Sequence, residues 1–98
     1  VLVTHMHPDH MGLAHWLCER WQAPLWMSTS EYQSALLACS SLSNFGGAPT
    51  VAFFKAHGWN QPDELAQVQA RVGYYPSMVP KIPNAYVRLM DGARVVWR

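Results

Sequence analysis

The sequence predicts an α/β fold, and three local patterns carry that prediction. Residues 1–4 form a short apolar and β-branched run, which is typical of a buried strand. A polar turn follows, and apolar residues then recur at three- and four-residue spacing, as they do along one face of a helix. A second strand-like run at residues 24–27 completes a strand–helix–strand unit.

The first helix is expected over about residues 11–22. Its apolar stripe should pack against the strands, while the polar residues of the opposite face remain in water. The residues of this stripe are Leu13, Ala14, Leu17, Cys18 and Trp21.

A second helix is predicted directly after the second strand. Ser28 and Glu31 have the spacing of a capping box, in which each side chain accepts from the backbone N–H of the other residue. A loop is expected over residues 40–49. The buried face of the helix is predicted to consist of Tyr32, Ala35, Leu36 and Cys39.

The remaining chain is predicted to be helical and then to form a β-hairpin. One helix covers residues 51–57 and ends at Gly58, and another begins near Pro62. Residues 76–83 contain three prolines and are expected to be irregular. Asp91-Gly92 lies between two strand-like runs, so a hairpin is predicted over residues 85–98. The buried stripe of the later helix is predicted to comprise Leu65, Val68, Val72 and Tyr75.

The 98 residues suit one domain or part of one, and half of them are apolar with only 13% charged. This composition excludes a disordered chain. The net charge of +1 and the lack of a basic cluster predict no nucleic-acid partner, and the lack of a long apolar run predicts no membrane span. Cys18 and Cys39 are interpreted as buried thiols in a reducing, cytoplasmic compartment, although a disulfide between them stays open.

The segment from Thr4 to Gly12 carries the chemistry, because His5, His7, Asp9 and His10 are four potential metal ligands within six positions. An extended backbone puts the imidazoles at positions 5 and 7 on one side, where they can share one ion. The proline at position 8 then turns the chain, so the carboxylate and third imidazole can hold a second ion nearby. Imidazole with carboxylate suits zinc, and iron or manganese as well.

A two-metal centre of this kind activates water and polarises a carbonyl or phosphoryl oxygen. We therefore predict that two zinc ions bind in the intact protein. Asp9 either ligates the second ion and orients the water or acts as the general base, and the sequence leaves these two roles open.

These residues resemble the H-x-H-x-D-H signature of the metallo-β-lactamase superfamily, and Thr4 and Gly12 fit the pattern as well. The resemblance implies that His5 and His7 bind the first metal and that Asp9 and His10 bind the second. It also implies a partial αββα metallo-β-lactamase sandwich with a helical insertion. Within it, residues 1–30 would hold the metal motif and the second strand. Residues 31–84 would be the mostly helical insertion, as in glyoxalase II-like and lactonase-like members, and residues 85–98 the hairpin.

The later ligands of the family have no match in this sequence. A third His, a bridging Asp and a final His are expected after Arg98, so we interpret the 98 residues as the N-terminal part of one longer domain, inactive by itself. His15 is expected to be a solvated helix residue, and His57 to interact with a helix end. Strands missing from such a segment would leave apolar faces open, which makes a homo-oligomer possible.

The resemblance implies a metal-dependent hydrolase of a small-molecule, ester-like substrate: a thioester, a lactone or a β-lactam. Two alternatives remain open. One is an iron-dependent persulfide dioxygenase of the same fold, which needs mainly the first two His and a later Asp. The other is a non-catalytic scaffold or interaction module that retains the motif.

Overall fold

The structure is a computed structural model that describes residues 1–40 and 46–97, and it has a mixed α/β architecture. Part of the predicted loop, residues 41–45, lies outside the described residues. In chain order the elements are α1 (Pro8–Met11), α2 (Ala14–Trp21), β1 (Trp26–Ser28), α3 (Thr29–Cys39), α4 (Gly47–Ala56), α5 (Pro62–Ala70), α6 (Tyr74–Met78) and β2 (Val87–Leu89).

A small parallel sheet joins the N-terminal part of the chain to residues 87–89. β1 pairs in parallel with β2, and the predicted first strand contributes a single parallel bridge from Leu2 to Trp26. The Trp26 N–H donates to the Val1 carbonyl at 2.7 Å, and the Val3 N–H donates to the Trp26 carbonyl at 3.0 Å. The mixed α/β class is therefore confirmed. The full sandwich stays a prediction, because the described residues form only this one small sheet.

The helix predicted over residues 11–22 is two helices. α1 begins at Pro8, where the missing N–H of proline costs no hydrogen bond. A turn at Gly12 and Leu13 interrupts the helix before α2 begins. The predicted apolar stripe is correct for Ala14, which is buried, but Leu13 lies in the turn between α1 and α2 and is 66% exposed. Trp21, the last residue of α2, is 68% exposed.

Helix α3 begins where the capping box predicts. The Ser28 side chain accepts from the Glu31 N–H at 3.4 Å, but the Glu31 carboxylate does not return to Ser28. The buried face includes Ala38 in place of Leu36, which is 45% exposed. Cys39 is only half-buried. Small alanines at this face allow α3 to pack closely, which spacing of apolar residues alone does not reveal.

Helix α4 starts earlier than predicted and ends as predicted. Its first turn contains Pro49, a position that needs no intrahelical N–H. Gly58 follows the end of the helix with φ +87°, the left-handed conformation that favours glycine at this point. α5 begins at Pro62 as predicted.

The stripe predicted for α5 is interrupted because α5 ends at Ala70. Leu65 is buried, but Val72 falls in the following turn and is 73% exposed. Tyr75 is buried as predicted, although it lies on the separate short helix α6. This helix carries Pro76 in its first turn. Residues 76–78 are therefore helical, although the sequence predicted an irregular stretch over residues 76–83.

The predicted hairpin over residues 85–98 is wrong for the described residues. The turn exists, since the Ala93 N–H donates to the Met90 carbonyl at 2.9 Å, but no return strand follows it through residue 97. Gly92 has φ +77°, whereas Asp91 does not have a positive φ. A two-residue hairpin turn of type I′ needs positive φ at both central residues, and turns of types I and II splay the strands apart. β2 therefore pairs only with β1 in the described chain.

The hydrophobic core lies between the sheet, α3 and α6. The radius of gyration of 16.2 Å exceeds the value of about 13 Å for a compact 100-residue domain. The described segment is thus elongated, and apolar side chains such as Val96 and Trp97 remain more than 80% exposed. The core residues are Val3, Met11, Ala14, Leu25, Met27, Tyr32, Ala35, Ala38, Tyr75 and Val79.

Both cysteines are free thiols at half-buried positions. Burial raises the pKa of Cys18 and of Cys39, so both remain protonated near neutral pH. Throughout residues 1–40 and 46–97, no helix has the length and apolar character required to cross a bilayer.

Candidate functional site

The H-x-H-x-D-H segment follows the parallel bridge at the carboxyl end of the first strand-like run. In parallel α/β sheets this end is where ligands bind, because loops and helix starts converge there. Val3 before the segment and Met11 after it are both buried, with 4% and 0% exposure. The polar residues between them are therefore held at the surface by two core side chains.

His5 and His7 converge as predicted, although the backbone bends at Thr4 and His5 instead of running extended. The distance from His5 Nε2 to His7 Nδ1 is 3.1 Å, and the two ring centroids are 4.8 Å apart. Two imidazole nitrogens that bind one tetrahedral zinc ion at 2.0–2.1 Å lie about 3.3 Å apart. In the structure this contact is a hydrogen bond between the two rings, and the separation of its nitrogens is close to that of two imidazole ligands of one divalent cation.

The second nitrogen of His5 has its own partner. His5 Nδ1 lies 2.9 Å from the Thr4 hydroxyl. When the hydroxyl accepts from a protonated Nδ1, the Nε2 atom has a free lone pair toward His7. Partners of this kind orient a metal-binding imidazole and set its tautomer.

Asp9 and His10 lie on α1, close to the histidine pair. The ring centroids of His5 and His10 are 4.0 Å apart, and His10 Nε2 lies 3.6 Å from Asp9 Oδ2. The Asp9 side chain is 77% exposed. Among the residues that the structure describes, no three His, Cys, Asp or Glu side chains form a group that could hold a metal ion. The four-residue metal assignment therefore stays a prediction.

Two residues that the sequence pattern did not indicate hold the backbone between the histidines. The Met6 N–H donates to Glu31 Oε2 at 2.8 Å, and the Tyr75 hydroxyl donates to the Met6 carbonyl at 2.5 Å. Burial raises the pKa of Tyr75 to about 12, with smaller contributions from Cys39 and Glu31, so the hydroxyl remains a donor. No short-range pattern could have indicated these contacts, since they span 25 and 69 residues.

A cleft of about 500 Å³ opens beside the motif. One wall is formed by Met6, His7 and Pro8, and the opposite wall by residues 71–76, including Tyr75. The lining is mostly apolar, with Arg71 as a cationic residue at the exposed side. A volume of this size suits a small organic ligand next to His7.

The remaining histidines lie outside the candidate site. His15 is not the solvated residue that the sequence predicts, because its side chain is only 16% exposed and Nδ1 lies 3.4 Å from Glu19 Oε2. His57 lies beyond the end of α4, where its Nδ1 contacts the Phe53 carbonyl at 2.8 Å. This contact agrees with the predicted interaction with a helix end.

Comparisons with known proteins show which protein family this chain is similar to. Residues 1–38 match the sequence model of the metallo-beta-lactamase superfamily. Across 98% of its length the chain is similar to a beta-lactamase domain protein from Burkholderia ambifaria of known crystal structure, with 38% identity and a TM-score of 0.68. The chain spans only 24% of the length of that protein. No curated protein matches the sequence.

The sequence match covers the motif segment, α1, α2, β1 and nearly all of α3. The structural similarity extends through the helical middle to β2. The motif predicted this relationship from about ten residues, and the two comparisons support it independently. These two matches support the assignment of this chain to the metallo-beta-lactamase superfamily, as the N-terminal part of a superfamily domain.

Proposed function

We propose that the protein containing this chain is a metal-dependent hydrolase of a small ester-like substrate, namely a thioester, a lactone or a β-lactam. The observation that carries the proposal is the 3.1 Å separation of His5 Nε2 and His7 Nδ1 beside an apolar cleft of about 500 Å³. The family membership of residues 1–38 supports the same chemistry.

In this proposal His5 and His7 hold a first divalent cation, and Asp9 and His10 hold a second. Bound ions of this kind lower the pKa of water towards ~7 and polarise a carbonyl oxygen. Asp9, whose carboxylate lies 3.6 Å from His10 Nε2, either ligates the second ion and orients the attacking water or acts as the general base that accepts its proton. The apolar wall that includes Tyr75 would bind the organic part of the substrate and exclude bulk water.

The test is a hydrolysis assay on the whole protein against a panel of thioesters, lactones and β-lactams. Treatment with a chelator and the substitution His7→Ala should each lower kcat/KM by more than the ~10–100-fold that loss of an outer partner of a ligand costs. His57→Ala is the matched control, because His57 is an exposed histidine outside the candidate site that contacts the carbonyl and the ring of Phe53. Activity that survives both metal removal and His7→Ala would refute the proposal.

An iron-dependent persulfide dioxygenase is a second candidate, and one observation favours it. His5 Nε2 and His7 Nδ1 lie 3.1 Å apart, whereas the Asp9 side chain is 77% exposed, so one ion suits the described residues as well as two. Metal analysis of the purified protein separates the two activities. Two zinc ions per chain favour hydrolysis, and one iron per chain favours oxidation.

The same metal analysis tests the non-catalytic alternative. A protein that purifies without stoichiometric metal and binds none on addition would act as a scaffold or interaction module. We also propose a cytoplasmic location, supported by the two free thiols. Labelling of Cys18 and Cys39 by a thiol reagent in freshly lysed cells checks it, and an oxidised pair would contradict it.

A further inference from the structure

We propose that Glu31 and Tyr75 are positioning residues that clamp the two peptide groups of Met6 and thereby set the separation of His5 and His7 for metal binding. This inference rests on the proposed function, since it concerns the metal site. Glu31 accepts from the Met6 N–H at 2.8 Å, and Tyr75 donates to the Met6 carbonyl at 2.5 Å.

The clamp is built from two different elements of the core. Glu31 lies in the first turn of α3, where Ser28 caps its own N–H. Tyr75 lies on α6, is only 7% exposed and belongs to the core cluster. Both groups are therefore held by packed structure, so their contacts with Met6 fix the loop relative to the core.

The position of Met6 explains why the clamp matters for the histidines. The backbone torsions of Met6 determine the relative orientation of the residues on either side, which are the paired histidines. A carboxylate that accepts from an N–H forms a charge-assisted hydrogen bond, which is stronger than a neutral one. Without these contacts the Met6 peptide groups can rotate, and a site loosened by about 1 Å loses its geometry for binding.

The test measures zinc affinity of the whole protein by competition with a chromogenic chelator. Tyr75→Phe removes only the hydroxyl, and Glu31→Ala removes the carboxylate. Each should weaken zinc binding by about 10–100-fold, the range for residues that act through a ligand. Glu31→Gln retains an oxygen acceptor and should recover most of the affinity.

Tyr86→Phe is the matched control. The Tyr86 hydroxyl is also part-buried and hydrogen-bonded, but its partner is the Thr29 hydroxyl at 2.9 Å. We expect Tyr86→Phe to leave zinc affinity within about threefold of wild type while lowering thermal stability as Tyr75→Phe does. The metal-induced rise in Tm should shrink for Tyr75→Phe and remain for Tyr86→Phe.

The outcomes separate this inference from the proposed function. A wild-type protein that binds no metal refutes both. Wild-type binding with unchanged affinity in Tyr75→Phe and Glu31→Ala refutes the clamp alone, and a lower Tm of the metal-free variants with unchanged affinity does the same. If the variants do not fold, hydrogen exchange of the metal-free wild type decides: a protected Met6 amide supports the clamp, and free exchange contradicts it.

Discussion

Gly12 ends the metal motif, and the structure gives a steric reason for glycine at this position. Its φ of −56° and ψ of −36° lie in the ordinary helical region, so backbone conformation does not require glycine. A Cβ atom built there would lie 2.8 Å from the Pro8 carbonyl oxygen and 3.0 Å from the Met78 carbonyl oxygen. The absence of a side chain allows the end of α1 to approach the end of α6.

Gly12→Ala therefore has two opposing effects on the free energy of unfolding, one from backbone conformation and one from steric overlap. At a helical position, alanine is favoured over glycine by up to about 1 kcal/mol. Both close atoms belong to the backbone and cannot rotate away, and overpacking of this kind costs about 1–3 kcal/mol. We expect the steric effect to exceed the conformational gain and to lower the free energy of unfolding by about 1–2 kcal/mol.

The assay is urea unfolding of purified protein followed by circular dichroism, with wild type measured in parallel. A lower midpoint at an unchanged m-value is the expected result, since the change affects packing in the folded state. A variant as stable as wild type, or more stable, would refute the steric reasoning. Relief of the clash must displace α1, which carries Asp9 and His10, so weaker metal binding should accompany the loss of stability.

Other substitutions test further contacts. Gln22 adopts a left-handed φ of +47° after α2, a conformation that glycine adopts more easily. Gln22→Gly should therefore raise the free energy of unfolding by up to about 1 kcal/mol, reduced by the loss of the hydrogen bond from the Gln22 side chain to the Glu19 carbonyl. Thermal unfolding measures this change, and a lower Tm would contradict it. Tyr32 donates to the Pro83 carbonyl at 2.6 Å in a buried position, so Tyr32→Phe should cost about 1–3 kcal/mol in urea unfolding, and a loss below 0.5 kcal/mol would be too small. The pKa of Tyr75 is raised from 10.0 to about 12 in the folded protein. The neutral hydroxyl therefore contributes its full share to the free energy of unfolding below pH 10, and this stabilisation is lost as the pH rises toward 12. The loss is at most about 3 kcal/mol, and Tyr75→Phe should make the stability profile flatter over this range.

Short-range patterns predicted the parts of the fold that depend on neighbouring residues. The cap at Ser28 requires only Glu31, three positions later, and the start of α5 at Pro62 requires only the fixed φ of proline. Each of these features is set by local geometry, so one sequence is sufficient to predict it.

The errors arise where the spacing of residues along the chain does not determine the outcome. Val72 continues the apolar spacing of α5, but the chain turns after Ala70 and leaves it 73% exposed. The Asp91-Gly92 pair has a hairpin composition, yet the turn has only one positive φ and no return strand follows in the described residues. The capping-box pattern predicts that the Glu31 carboxylate accepts from the Ser28 N–H. In the structure this carboxylate accepts from the Met6 N–H instead.

The candidate site therefore combines two levels of information. The identity of the ligands is local, since four potential donors lie within six positions of the sequence. Their spacing in three dimensions is not local, because the segment is anchored at its ends by Val3 and Met11 and in the middle by Glu31 and Tyr75. These four residues come from the first run, α1, α3 and α6, so the distance between the paired imidazoles depends on how the whole core is packed. A motif match can thus indicate which side chains are candidate metal ligands, whereas their arrangement for binding is a property of the fold.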